Sequence, residues 1–110
     1  MVISILTRKT RVTDLEQWQV LLQGVLPKLK SVLEAEAGFA GVEYLWSLDE
    51  PGRFAQITTW QSADDCHNYV RGGGAATVAT LEDAVIPTAA HPDGAWVRQN
   101  FERQSDGSVG

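Results

Sequence analysis

The side chains with chemistry to offer gather between positions 54 and 69. In Phe54-Ala55-Gln56-Ile57-Thr58-Thr59-Trp60 the even-numbered residues share one face of a strand, because strand side chains repeat every two residues. That face can hold a flat ligand. The Trp60 indole stacks on an aromatic ring and donates one N–H, while the Gln56 amide both donates and accepts. A phenol or its enolate held there gains hydrogen bonds that strengthen as negative charge develops. If the substrate supplies its own electrons, no cofactor is needed, and the protein has only to favour the carbanion, exclude water and leave a route for oxygen. Cys66, His67 and Tyr69 follow closely. His67 is a candidate general base because imidazole titrates near neutrality, and Tyr69 is a second candidate for moving protons.

Each of these residues also has a plainer reading. Trp60 serves equally well as core bulk, and Gln56 as a buried amide satisfied by a serine or a backbone group. A lone helical histidine is more often half-exposed than catalytic. Cys66 reads as a small buried hydrophobe, since no base is fixed beside it. Cys66 and Tyr69 share a helix face at a spacing of three, whereas His67 and Tyr69 do not. Arg8, Arg11, Arg53 and Arg98 are cations that can offset a substrate anion, and nothing in the spacing chooses among them.

The elements that must position these groups follow from periodicity. Val2 to Thr10 is β-branched and apolar on both alternating faces, as in a strand covered on both sides. Thr13-Asp14-Leu15-Glu16 forms a T-x-x-E capping box ahead of a stripe of Leu15, Trp18, Leu22, Val25, Leu29 and Val32, which predicts a long amphipathic helix. Gly24 and Pro27 predict a kink or break near 23–27, and Gly38 suits the cap that ends the helix. Phe39 to Leu48 and Arg53 to Trp60 read as a hairpin turned by Asp49-Glu50-Pro51-Gly52. Ser62 caps a second helix that runs to about Arg71, where Gly72-Gly73-Gly74 loosens or stops it. That triple glycine lacks the lysine of a phosphate loop and reads as a flexible break, a candidate hinge. Ala75 to Val85 resumes as helix, Thr88 to Gly94 is loop, and Ala95 to Arg103 is the last strand.

The order β-α-β-β-α-β predicts an α+β, ferredoxin-like fold with a four-stranded antiparallel sheet and its helices on one face. The other face is left open. With Val2, Leu6 and parts of Phe39 to Trp46 assigned to it, that face needs a second subunit, so a homodimer is expected. Of the four tryptophans, Trp18 belongs to the helix stripe, while Trp46 and Trp96 fall on strands and suit the interface at least as well as a pocket.

Composition removes whole classes of function. A chain of 110 residues has room for one domain, here 1–103, with 104–110 reading as a disordered tail. Its 44% hydrophobic and 21% charged residues match an ordinary globular domain, so it should fold. One cysteine excludes an internal disulfide, and two histidines are too few for a closed zinc site, so no metal is expected. A net charge of -5 provides no basic footprint for nucleic acid or anionic membrane. The short apolar N-terminus is followed by Arg8, Lys9 and Arg11, the wrong side for a signal peptide, and a cytoplasmic location is expected.

At this point the chain resembles a family. Glu36-Ala37-Gly38-Phe39, the hairpin around Pro51-Gly52, and Thr59-Trp60-Gln61-Ser62 leading into an acidic helix with His67 look like the antibiotic biosynthesis monooxygenases, dimeric α+β barrels. The resemblance covers Val2 to Arg103 and marks the fold better than any one reaction. It implies two chemistries. Anthrone-type oxygenases of the family add molecular oxygen to a phenolic polyketide without flavin, haem or metal. They carry an asparagine and a tryptophan four residues apart on the third strand, a tyrosine six past that tryptophan and an arginine about twenty past it. Here those positions hold Gln56, Trp60, Cys66 and Thr80, so the amide and the indole are kept and the last two partners are absent. Haem-degrading members use an asparagine, a tryptophan and a histidine where this chain has Thr7, Tyr69 and Ala79, which disfavours haem ligation unless His67 or His91 substitutes. The expectation is cofactor-independent oxidation of an aromatic or polyketide-like small molecule, carried by Trp60 and Gln56 and then by His67 and Tyr69. The competing readings are a cyclase or isomerase on the same scaffold and a haem or small-molecule binding protein.

Overall fold

Burial alternates along β1 (Val2–Lys9): Val2, Ser4, Leu6 and Arg8 are buried, and Ile3, Ile5, Thr7 and Lys9 between them are only half-buried. One face of the strand is therefore roofed and the other is open. The structure is a computed structural model that describes residues 1–104. After β1 come α1 (Leu15–Glu34), β2 (Phe39–Trp46), β3 (Arg53–Trp60), α2 (Ala63–Arg71), α3 (Gly74–Asp83) and β4 (Val97–Glu102). The strands pair antiparallel in the order β2-β3-β1-β4. This is the ferredoxin-like α+β arrangement expected from the element order. The tail expected from residue 104 falls, from 105 on, outside the described residues.

Side-chain parity along the strands differs from the sequence reading. Val2 and Leu6 face the helices, and the open face instead carries Ile3, Ile5, Leu45, Ala55, Ile57, Val97 and Phe101. Both sets are apolar, so the choice rests on which one meets the helices. Trp46 is likewise on the roofed side, 4.9 Å from Trp18 between ring centroids. Trp96 precedes β4 and is not part of it, since the strand starts at Val97.

Helix α1 runs unbroken through Pro27. Its stripe of Trp18, Leu22, Val25, Leu29 and Leu33 is buried on both sides of the proline, and this burial outweighs the one missing hydrogen bond. Its cap is Asp14 and not Thr13: the Asp14 carboxylate accepts from the Gln17 N–H at 2.9 Å. A carboxylate is favoured there by the helix dipole. Helix α2 has the serine cap expected of it, Ser62 accepting from the Asp65 N–H.

Turn β2–β3 locks onto the end of β1 through Gly52. This glycine has φ 84°, its carbonyl accepts from the Thr10 N–H, and a Cβ at this position would lie 2.4 Å from the Thr10 carbonyl oxygen. Gly52→Ala is expected to destabilise the fold by about 2 kcal/mol through left-handed strain and that backbone clash. The expected readout is a lower urea midpoint at unchanged slope; a midpoint equal to that of the parent protein would contradict it.

Candidate functional site

Two groups of side chains meet in the layer between sheet and helices. The first is aromatic. Trp60 at the end of β3 is fully buried and stacks on Tyr69 of α2, with ring centroids 4.6 Å apart, while Phe39 meets its edge at 5.7 Å. The indole N–H donates to Thr58 Oγ1 at 2.9 Å. The Tyr69 hydroxyl is buried without a hydrogen-bond partner, and burial pushes its pKa up to about 12 against the pull of Arg98. Arg98, from β4, donates to Ser4 Oγ at 2.6 Å and holds its guanidinium 5.9 Å from the Tyr69 ring centre. Gly74 at the start of α3 permits this packing, since a Cβ there would lie 2.3 Å from Glu36 Oε1 and 2.8 Å from the Tyr69 ring.

The second group is polar and equally deep. Glu82, on α3, has no exposed surface. Its Oε2 accepts from the Tyr44 hydroxyl at 3.0 Å and from Gln56 Nε2 at 3.3 Å, and Gln56 Nε2 also donates to Tyr44 Oη at 2.9 Å. Arg8 Nη2 lies 3.4 Å from Glu82 Oε1. The same guanidinium bonds Asp83, donates to Thr88 Oγ1 at 2.8 Å and covers the Trp96 ring at 4.2 Å. Register explains the assembly: Tyr44 pairs with Gln56 across β2 and β3, so both project to the helix side, where α3 presents Glu82. Burial raises the Glu82 pKa to about 7, outweighing the attraction of Arg8 and the hydrogen bonds of Tyr44 and Gln56. Burial, together with the Glu82 charge, also holds the Tyr44 phenol well above its ordinary value.

The residues singled out from sequence separate in space. Trp60 and Tyr69 meet directly, and Gln56 joins the polar group. His67 is exposed on the outer side of α2 and reaches neither group. Cys66 is buried, its thiol pushed up by burial and its Sγ 3.9 Å from Asn100 Oδ1. Sequence reasoning missed Tyr44 and Glu82. A usable signal was present for the second, because Gly74, Val78, Glu82 and Ile86 recur every four residues and are all buried, so a carboxylate interrupts an apolar stripe.

Two shallow clefts border the sheet. The larger, of about 260 Å³, is lined by Thr7, Leu45, Trp46, Ser47, Arg53, Phe54 and Ala55. The other, of about 230 Å³, is formed around Glu43, Ile57 and Thr59. Neither is lined by Gln56, Trp60, Tyr69 or Glu82, so these hollows are separate from the reactive groups. Among the described residues the interior gathers titratable groups in a desolvated setting, which makes it the candidate site.

No protein-family model and no curated protein matches the chain. Solved structures do match. SnoaB, a cofactor-independent oxygenase from Streptomyces nogalater, aligns over 97% of each chain with a TM-score of 0.64 at 15% identity. A putative antibiotic biosynthesis monooxygenase from Bordetella bronchiseptica aligns over 93% of this chain and 95% of its own, with a TM-score of 0.66 at 12% identity. The chain has the fold of the antibiotic biosynthesis monooxygenases. The same fold occurs in the haem-degrader MhuD from Mycobacterium tuberculosis, which carries two haems in its active site and matches over 100% of both chains at 21% identity and a TM-score of 0.64. Both histidines, His67 and His91, are exposed and lie outside the layer that gathers Trp60, Tyr69 and Glu82. The groups gathered under the sheet include the phenols of Tyr44 and Tyr69, the Gln56 amide, Arg8, Arg98 and the fully buried Glu82 carboxyl.

Glu82 gives the site a pH signature. Its pKa is raised on folding from 4.5 to about 7, so the native state binds the proton more tightly than the unfolded chain. Its contribution is favourable below about pH 4.5 and is lost as pH rises through about 7. The stability difference between the parent protein and Glu82→Gln is expected to move against the parent by on the order of 3 kcal/mol across that window. Urea unfolding of both proteins at several pH values checks this, and a difference that stays flat from pH 4.5 to 7 would contradict it.

Proposed function

We propose that this protein is a cofactor-independent monooxygenase acting on an aromatic, polyketide-like small molecule of secondary metabolism. The observation that carries the reading is Glu82: a carboxyl group without exposed surface, hydrogen-bonded by Tyr44 and Gln56, and titrating near neutrality. Such a group removes a proton from an acidic C–H at neutral pH, and its pKa near the working pH is where general-base catalysis is most effective. Tyr44 and Gln56 hold the carboxylate in orientation. Trp60 and Tyr69 form the flat wall for the aromatic ring, with the Trp60 N–H held by Thr58.

The reaction balances without a reductant. Proton loss from a doubly benzylic methylene leaves a stabilised carbanion that transfers its electrons to molecular oxygen and forms a C–O bond. The resulting peroxide loses water, so the methylene and one molecule of oxygen become a ketone and one molecule of water. Glu82 first returns its proton to the terminal peroxide oxygen, then takes the remaining C–H proton as the O–O bond breaks and passes it to the departing hydroxide. His67 takes no part in this scheme because it is exposed on the far side of α2.

The working unit in this proposal is a homodimer. What supports it is the open sheet face, where Leu45, Val97 and Phe101 are each at least half exposed beside Ile3, Ile5 and Ile57. An apolar surface of this kind ordinarily marks an interface. Sedimentation at micromolar concentration is expected to give a dimer, and Ile5→Lys a monomer; a monomeric parent protein would refute this part of the proposal.

The chemistry is tested with an anthrone in an oxygen electrode. One molecule of oxygen is expected to disappear for each quinone formed, with kcat in Glu82→Gln lowered about 100-fold or more. Trp60→Phe and Gln56→Ala should cost rate beyond any loss of stability. Product formed at an undiminished rate under strict anaerobiosis would overturn the oxygenase reading in favour of a cyclase or isomerase.

A further inference from the structure

The helix side of the sheet is not covered uniformly. On β4, Arg98 and Asn100 point to the same side as Leu6 and Ser4, to which they are paired across β1. Ser4 and Leu6 are buried, yet Asn100 is exposed and Arg98 only half-buried, so the roof stops short of the β4 edge. This margin, between β4 and α2, is where the buried Tyr69 hydroxyl ends without a partner. Tyr69 itself is 1% exposed.

Charge is unbalanced at the same place. Arg98 donates to Ser4 but forms no ion pair with any described carboxylate, whereas the interior's other arginine, Arg8, is matched by Glu82 and Asp83. The titratable groups facing Tyr69 are Arg98 of β4, Glu36 after α1, Glu82 of α3 and Tyr44 of β2. Glu82 is engaged by Arg8, and Glu36 is half-buried beside Gly74. Arg98 therefore stands unpaired with any described carboxylate and close to the Tyr69 hydroxyl, where the cover over the sheet thins toward β4. A guanidinium with spare N–H groups and a phenol O–H together suit a planar oxyanion.

We infer that this margin is a subsite for the carboxylate of an aromatic acid, one oxygen taken by Arg98 and the other by the Tyr69 hydroxyl. The anion then sits at the solvent edge with Arg98 and Asn100. This deepens the oxygenase proposal by giving its substrate class an acidic substituent, and it rests on that reading only for what happens after binding. The two arginines then have separate roles, Arg8 being committed to the fold and Arg98 available to ligand.

The experiment titrates 2-naphthoate and its neutral isostere 2-naphthamide calorimetrically into the full-length protein. The acid is expected to bind about tenfold more tightly than the amide, as a charge-assisted contact requires. In Arg98→Gln that ratio should fall to about one, and in Arg98→Lys it should be intermediate, because the charge remains while the fork is lost. Thermal melts establish that the variants are folded; if Arg98→Gln is not, Arg98→Lys carries the comparison. Equal affinities for acid and amide, no binding of either, or a ratio that survives loss of the guanidinium would each overturn the subsite. Failure of the oxygenase reading looks different: no oxygen uptake with the anthrone, and an acid-to-amide ratio that persists.

Discussion

Arg8 and Glu82, neither with any exposed surface, tie the first strand to the third helix and fix much of what surrounds them. Two charges taken out of water must be matched closely or they cost more than they contribute. Matching here recruits the whole neighbourhood: Asp83 and Thr88 on one side of the guanidinium, the Trp96 ring beneath it, and Tyr44 and Gln56 on the far oxygen of the carboxylate. The segment from α3 to β4 has little regular structure, and this arginine anchors it along with the backbone contacts Arg11 to Pro87 and Ala89 to Lys9. The pair is asymmetric. Arg8 has several acceptors, whereas burial of Glu82 outweighs its attractions, so the carboxyl is left able to titrate near neutrality.

That asymmetry connects stability to chemistry. A fully compensated buried carboxylate is a structural group with a depressed pKa and little tendency to take a proton. Glu82 is under-compensated, with one oxygen lacking a hydrogen bond and the other bonded by neutral donors. The fold bears this cost in the region where proton transfer is proposed, as expected when local stability is given up for function. The aromatic wall beside it is different in kind. The Trp60–Tyr69 stack and the Trp18, Tyr44, Trp46 and Phe54 cluster are packed by area and ring geometry, and they lend the site low polarity and rigid shape.

Much of the architecture is legible from periodicity. The stripe of α1, the turn at Pro51-Gly52, the serine cap of α2 and the break at Gly72 to Gly74 each follow from local backbone chemistry, and each element forms close to the expected residues. The departures share a cause. Val2 and Leu6 on the open face, Trp46 away from the helices, Trp96 within a strand and a break near 23–27 are expectations that depend on what packs against the residue, and packing reverses them. Of the candidate site, Trp60, Tyr69 and Gln56 are found from sequence because they lie close together on one strand and the following helix. Tyr44 and Glu82 escape it because strand pairing and helix packing bring them to Gln56 from 12 and 26 residues away.

The order of elements, the alternation of faces and the residue types from which a site can be built are already set in the chain, because they rest on backbone dihedral preferences and short-range periodicity. Which alternate face is roofed, which arginine is ion-paired and which is not, and whether a glutamate in an apolar helix stripe meets a tyrosine and a glutamine are settled only in three dimensions. Those outcomes depend on desolvation and long-range pairing, and neither quantity exists until the helices close over the sheet.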